Sequence, residues 1–400
     1  MSSDVSAQAE RAAERKSINL RDYGILAALV LIIIAFSVLT KGTLLDPNNV
    51  AALIKQNAYV MVLTIGMTMV IIARHIDLSV GSVVAFVGAV VALCMKDFGV
   101  NWFLAVLIGL FLGMLIGAWQ GFWVAYVGVP AFIVTLGGML LFRGLAIIVL
   151  GGKTIAGLPT QFNDIAGGSF PAFFGYLGQL DVVTLIIGIV AIVAAVYSQV
   201  AARVKAIKTG AVVSGRAAFV VQQLAIVLGV GFITWRLALS AGGTPIVLVI
   251  IGVLVIAYSF IMNRTPFGRH IYAVGGNLKA ARLSGIDTKR VDFMVFVNMG
   301  LLAALAGIIT TSRAGSAVAT AGNMYELDAI AAAFIGGTAV SGGVGKISGA
   351  IIGALVMGVL NMGLSILNVD PSWQMAIKGI VVILAVAVDL ASRRRTGAVS

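Results

Sequence analysis

Residues 23–40 read YGILAALVLIIIAFSVLT, a run without a single Asp, Glu, Lys or Arg. A helix needs roughly 18 to 20 such residues to cross the hydrocarbon core of a bilayer. Comparable runs recur near 58–73, 78–95, 102–127, 131–150, 182–200, 217–235, 246–262, 293–311, 329–343, 347–367 and 374–390. Lipid cannot hydrogen-bond a backbone, so spanning segments must be helices or closed barrels, and runs this long and continuous read as helices. The predicted fold class is therefore all-α: a polytopic transmembrane helix bundle of about 10–12 spans, one domain over 23–391. Composition agrees, since 60% of the chain is apolar and 10% charged, against about 25% charged in a soluble domain.

Lys and Arg beside the spans set the orientation, because positively charged loops stay cytoplasmic. Arg11, Arg15, Lys16 and Arg21 place the N-terminus inside, and Arg203–Arg216, Arg264–Arg290 and Arg393–Arg395 then fall on the same side. Residues 1–22 read as a disordered cytoplasmic tail and 392–400 as a second one. Runs 58–73 and 329–343 are shorter than a full crossing, and the second is broken by glycines, so each is a candidate re-entrant or half-helical segment. With both termini inside, ten or twelve crossings are allowed and eleven are not. The formal charge of +12 follows from these loops; no basic domain with interleaved aromatics points to nucleic acid. Cys94 is the single cysteine, and His75 and His270 stand apart, so neither a disulfide nor a metal site is expected.

Two stripes of glycine, at 109, 113, 117 and 121 and at 345, 349 and 353, each lie on one helix face and permit close backbone approach between helices. Polar residues inside apolar runs are expensive and commonly face a bundle interior or a pathway. By that rule Asn57, Thr64, Thr68, Asp77, Thr135, Arg143, Asn298 and Asp328 are candidate pathway residues. Asp77 and Asp328 each precede an apolar run; either carboxylate can cap a helix or mark a broken helix end, and the orientation sets them on opposite sides of the membrane. No catalytic pattern is present: GGVGKIS at 342–348 lacks both the first glycine and the Ser/Thr of a phosphate-binding loop. The chain is not expected to be an enzyme or to carry a cofactor.

The exception to the oily pattern is the basic loop 263–292. Asn277 can cap a short helix and Gly285 suits the left-handed residue that ends it. A helix of two turns is unstable alone, so it needs a surface. Lys279 and Arg282 share one face, while Leu278, Ala281 and Gly285 offer a low profile for another protein; anionic headgroups are the alternative partner.

HIDLSVGS, VPAFIVTLGGMLLFRG, GRHIYAVGGNLKAARLSGI and ELDAIAAAFIGGTAVSGGVG resemble, in this order along the chain, the permease subunits of bacterial ATP-binding-cassette importers for monosaccharides. The extra pair of spans around Arg203–Arg216 resembles the xylose-type members. That resemblance implies a multi-pass protein of the bacterial cytoplasmic membrane, acting with a second copy of itself, a cytosolic ATPase that binds the ATP, and a periplasmic sugar-binding protein. It also implies that Gly276, Asn277, Lys279, Ala280, Ala281, Arg282 and Gly285 form the contact with the ATPase, although Lys279 stands where related importers carry Glu. A stand-alone secondary transporter or channel for a small polar solute is the alternative, and a membrane scaffold without cargo is a third.

Overall fold

The computed structural model describes residues 20–395 apart from 211, 212 and 214. The two predicted tails, 1–22 and 392–400, therefore lie largely outside the described residues. In chain order the helices are α1 (Leu20–Leu39), α2 (Pro47–Ile72), α3 (Val80–Lys96), α4 (Trp102–Phe122), α5 (Ala131–Leu150), α6 (Thr160–Asn163), α7 (Val182–Lys208), α8 (Arg216–Ala238), α9 (Ile246–Arg264), α10 (Pro266–Gly276), α11 (Leu278–Leu283), α12 (Thr288–Ala314), α13 (Tyr325–Ile335), α14 (Ile347–Ile366) and α15 (Pro371–Arg395). Eight of them are long and apolar enough to cross a membrane, and the apolar parts of α1, α3 and α15 are shorter. Two short antiparallel ladders join loops: Ile155–Ala156 (β1) with Ser316–Ala317 (β4), and Tyr176–Leu177 (β2) with Leu180–Asp181 (β3).

The described residues form two units, a larger one of 25–44, 52–169 and 245–395 and a smaller one that includes 45–51 and the described part of 170–244. At the centre of the larger unit, α4 and α12 cross on glycine. A Cβ on Gly113 or Gly117 would overlap the carbonyl of Gly300 or Phe296, and one on Gly300 would overlap that of Gly113. The second stripe seats α14 on α13: a Cβ on Gly353 would overlap the Ala332 carbonyl, and one on Gly349 the Gly336 carbonyl. Both stripes thus serve close helix packing inside the bundle.

Two expectations about span length need correction. Run 58–73 is not short: α2 continues upstream to Pro47, giving 26 residues, about 39 Å at 1.5 Å per residue. Run 78–95, by contrast, is a helix of 17 residues preceded by a non-helical stretch, 75–79, whose Asp77 and Ser79 are buried. Run 329–343 does break, as its glycines foreshadow. α13 has 11 residues and ends at Gly336, and positive φ at Gly337, Gly342 and Gly343 turns the chain back towards α14.

The starts of α3 and α13 meet. A Cβ on Gly81 would overlap the Gly322 carbonyl, and the converse also holds. Asp77, in the stretch just before α3, and Asp328, in the first turn of α13, are both buried where these two helix starts meet, the geometry of discontinuous helices in transporters. Arg143 holds the loop before α13, its Nη1 donating to the carbonyls of Ala319 at 2.5 Å and Ala321 at 2.7 Å.

In the smaller unit, α7 and α8 form an antiparallel pair in which Gly188 receives Thr234 and Gln223 donates to Gln199 at 3.0 Å. Asp181 caps α7 by accepting from the amides of Val183 and Thr184. Ile189, Val190 and Leu228 point outward, each at least 60% exposed, as lipid-facing residues do.

Candidate functional site

A cavity of 390 Å³ lies in the larger unit among α2, α12, α13, α14 and α15, within the roughly 300–1,000 Å³ of small-molecule sites. Lys55, Gln56, Asn57 and Tyr59 line it from α2, Thr310 and Arg313 from α12, Tyr325 from α13, Asn361 and Ser365 from α14, and Gln374 and Lys378 from α15. The rings of Tyr59 and Tyr325 stack with centroids 3.5 Å apart. Tyr59 donates its hydroxyl to Asp328 at 2.8 Å, and Lys378 closes on the same carboxylate at 3.1 Å. Asp328 thus ties three helices together from behind the cavity wall.

Asparagine supplies the other polar wall. Asn57 donates to the Leu53 carbonyl at 3.0 Å and accepts from Asn361 at 3.2 Å. The Asn361 amide oxygen is buried without a partner, a condition that costs about 1–3 kcal/mol unless a donor arrives.

Of the eight predicted pathway residues, Asn57 lines this cavity and Asp328 stands behind it. The other six do not line it. Thr64 bonds back to the Val60 carbonyl of its own helix at 2.5 Å, and the Thr68 hydroxyl is buried unpaired. Thr135 bonds to Ala131 at 2.9 Å. Asn298 accepts from Tyr258 at 2.5 Å and donates to the Met69 sulfur at 3.4 Å. Asp77 accepts from the amide and hydroxyl of Ser79 at 2.8 and 2.7 Å. Sequence reading missed Tyr59, Arg313, Tyr325, Asn361 and Lys378. Lys378 carried the same signal as Arg143, a charge within an apolar run.

Replacing Lys378 with Met strands the Asp328 carboxylate and should cost about 2 kcal/mol, less than a fully sealed pair because the lysine borders the cavity. Thermal unfolding in detergent reads this. Lys378→Met combined with Asp328→Asn should regain most of the loss, and a double variant as unstable as Lys378→Met would show that the ion pair was not the cause.

The basic loop 263–292 forms the short helix its capping residues predicted, α11, preceded by α10. Asn277 accepts from the Ala280 amide at 3.0 Å, and Gly285 adopts φ +81°. Its orientation differs from expectation: Ala281 is 4% exposed, turned into the protein's own bundle, while Leu283 is 90% exposed. Lys279, Ala280 and Arg282 are also exposed. α10 and α11 are tied to the bundle by Arg74, whose guanidinium donates to the carbonyls of Gly275 at 2.6 Å and Gly276 at 2.7 Å. The Tyr272 hydroxyl donates to Gly345 at 2.7 Å, and its burial raises the phenol above its ordinary value, keeping it a donor. The same segment thus grips the end of α2 and the turn between α13 and α14.

Residues 49–386 match the family model described as "Branched-chain amino acid transport system / permease component". The chain is 41% identical over 382 residues to the xylose transport system permease protein XylH of Escherichia coli (strain K12), covering 95% of this chain and 94% of that one. It is 36% identical to the protein of the same name from Haemophilus influenzae, with 95% and 99% covered. To the ribose import permease protein RbsC of Escherichia coli (strain K12) it is 36% identical, with 91% and 92% covered. No solved structure matches the chain.

Proposed function

Since the chain belongs to the branched-chain amino acid transport system / permease component family, we propose that it is the membrane subunit of an ATP-driven importer whose cargo is D-xylose. The observation that carries this reading is its end-to-end similarity to the Escherichia coli xylose permease, 41% identical against 36% for the ribose permease of the same organism. Sugar permeases as the near relatives make a sugar, not a branched-chain amino acid, the cargo, whatever the family's title.

In this reading a cytosolic ATPase docks on α11, a periplasmic sugar-binding protein delivers the sugar, and two copies of the chain enclose the path. Force at α11 reaches the half-helix α13 by a short route. It runs through Arg74 and Tyr272 to the end of α2 and to the turn that follows α13. A neutral sugar needs only moderate hydrogen bonding along its path, because tight binding would slow its release.

Reconstitution into proteoliposomes with and without the ATPase and the binding protein, followed with labelled pentoses and hexoses, tests the reading. Xylose should accumulate only when ATP and all components are present. Uptake by this chain alone under an ion gradient would establish the secondary-transporter alternative instead.

A further inference from the structure

We infer that the end of the α7–α8 pair that carries Arg203, Lys205, Lys208 and Arg216 is a docking surface for anionic phospholipid, its cations engaging net-negative headgroups at one face of the membrane. This surface is separate from transport and holds whichever solute the chain moves.

Residues 182–202 and 217–235 carry no charge, which gives about 32 and about 28 Å of apolar helix at 1.5 Å per residue, close to the ~30 Å hydrocarbon core. The cations begin where those stretches stop. Gln223 donates to Gln199 at 3.0 Å and the Arg203 guanidinium lies over the Phe219 ring at 4.5 Å, so the end of α7 runs alongside the start of α8. Lys205 and Lys208 extend no more than about 8 Å of helix rise past Arg203, within the depth of a headgroup layer, and both are exposed, as is Arg216. No Asp or Glu occurs from 182 to 286, so no carboxylate on either helix or on the turn between them neutralises these charges. The helix dipole accounts for only part of the cluster. Lys205 and Lys208 stand in the last turn of α7, where a cation is favoured. Arg216 stands in the first turn of α8, where the dipole opposes it and no acidic residue accompanies it. A negative partner from outside the two helices resolves that conflict. Lipid brings one at the right depth: the pair's flanks face outward, with Tyr197 73% exposed, so acyl chains surround the helices and their headgroups lie level with the cations. Each cation near an anionic surface is worth roughly a fivefold preference.

The test puts a photo-crosslinking side chain in place of Thr209, the exposed residue that follows Lys208, with the full chain in nanodiscs of equal phosphatidylglycerol and phosphatidylethanolamine. Mass spectrometry then reads which lipid is captured. At about 0.1 M salt the phosphatidylglycerol adduct should exceed the other about tenfold, the part of the summed preference that survives screening. With Lys205→Gln, Lys208→Gln and Arg216→Gln combined, the ratio should fall to near one. Arg264→Gln, Lys289→Gln and Arg290→Gln combined, which remove as much charge from the loop that also holds Asp287, should leave it unchanged. If the first triple variant elutes as aggregate, the unaltered chain at about 1 M salt is read in its place: the screening length there is ~3 Å against ~10 Å, and the ratio should fall below about twofold. The inference is overturned if the unaltered chain captures both lipids equally, if the preference survives loss of the three cations or high salt, if both triple variants lower it alike, or if the label captures a second protein chain in place of lipid.

Discussion

Gly300→Leu should leave almost no folded protein to extract from the membrane. Gly300 sits where α12 crosses α4, and a Cβ there would lie 2.8 Å from both the Cα and the nitrogen of Gly117. Those are backbone atoms, which cannot rotate away as a flexible side chain can. Leucine must drive the helices apart, forfeiting the dispersion contacts that hold a membrane bundle together where lipid supplies no hydrophobic drive between helices. Overpacking in an ordinary core costs about 1–3 kcal/mol; a crossing with no room to yield should cost about 4 kcal/mol or more, enough to unfold a marginal protein. Gly137→Leu is the matched control, since nothing lies within 4 Å of a Cβ at that exposed position in α5; its effect should stay within about 0.5 kcal/mol. Detergent extraction followed by size-exclusion elution measures both, and a monodisperse Gly300→Leu protein would refute the close-crossing account.

That crossing was legible because a glycine every fourth residue is a local pattern with one geometric meaning. Span boundaries were less so, for a reason visible in α2. Lys55, Gln56 and Asn57 line the cavity, so hydropathy falls exactly where the helix continues past a polar space. Averaging hid Lys378 in the opposite way, since one charge is diluted by the apolar residues of α15 that follow it. The meeting of Gly81 with Gly322 depends on contacts between residues more than two hundred positions apart, and no local signal reports it. In the basic loop, caps at Asn277 and Gly285 are local and were read correctly. Which face of α11 turns outward depends on how Arg74 and Tyr272 dock its neighbour α10, so the sequence pointed to Ala281 where the fold presents Leu283.

This difference of face separates a folding defect from a coupling defect. With Leu283 changed to Asp, the importer should lose ATP-driven xylose uptake by about 100-fold or more, equivalent to about 2.7 kcal/mol, with elution and Tm unchanged. At 90% exposure the leucine contributes nothing to the permease's own core, but burying it in a groove of the ATPase would contribute about 1.5–3 kcal/mol. A carboxylate in that groove adds the cost of desolvating a charge and sets an acid among the exposed Lys279 and Arg282, whose positive charge would otherwise meet the partner. Leu283→Met, similar in volume and apolar, should retain most of the uptake. Ala281→Trp gives the contrasting result: the site is 4% exposed, so the larger ring should lower Tm together with uptake. Capture of the ATPase on immobilised permease distinguishes the two, because Leu283→Asp should retain little of it in a protein that is otherwise intact. Full uptake by Leu283→Asp would mean that force enters the bundle somewhere other than α11, and the route through Arg74 and Tyr272 to α13 would lose its starting point.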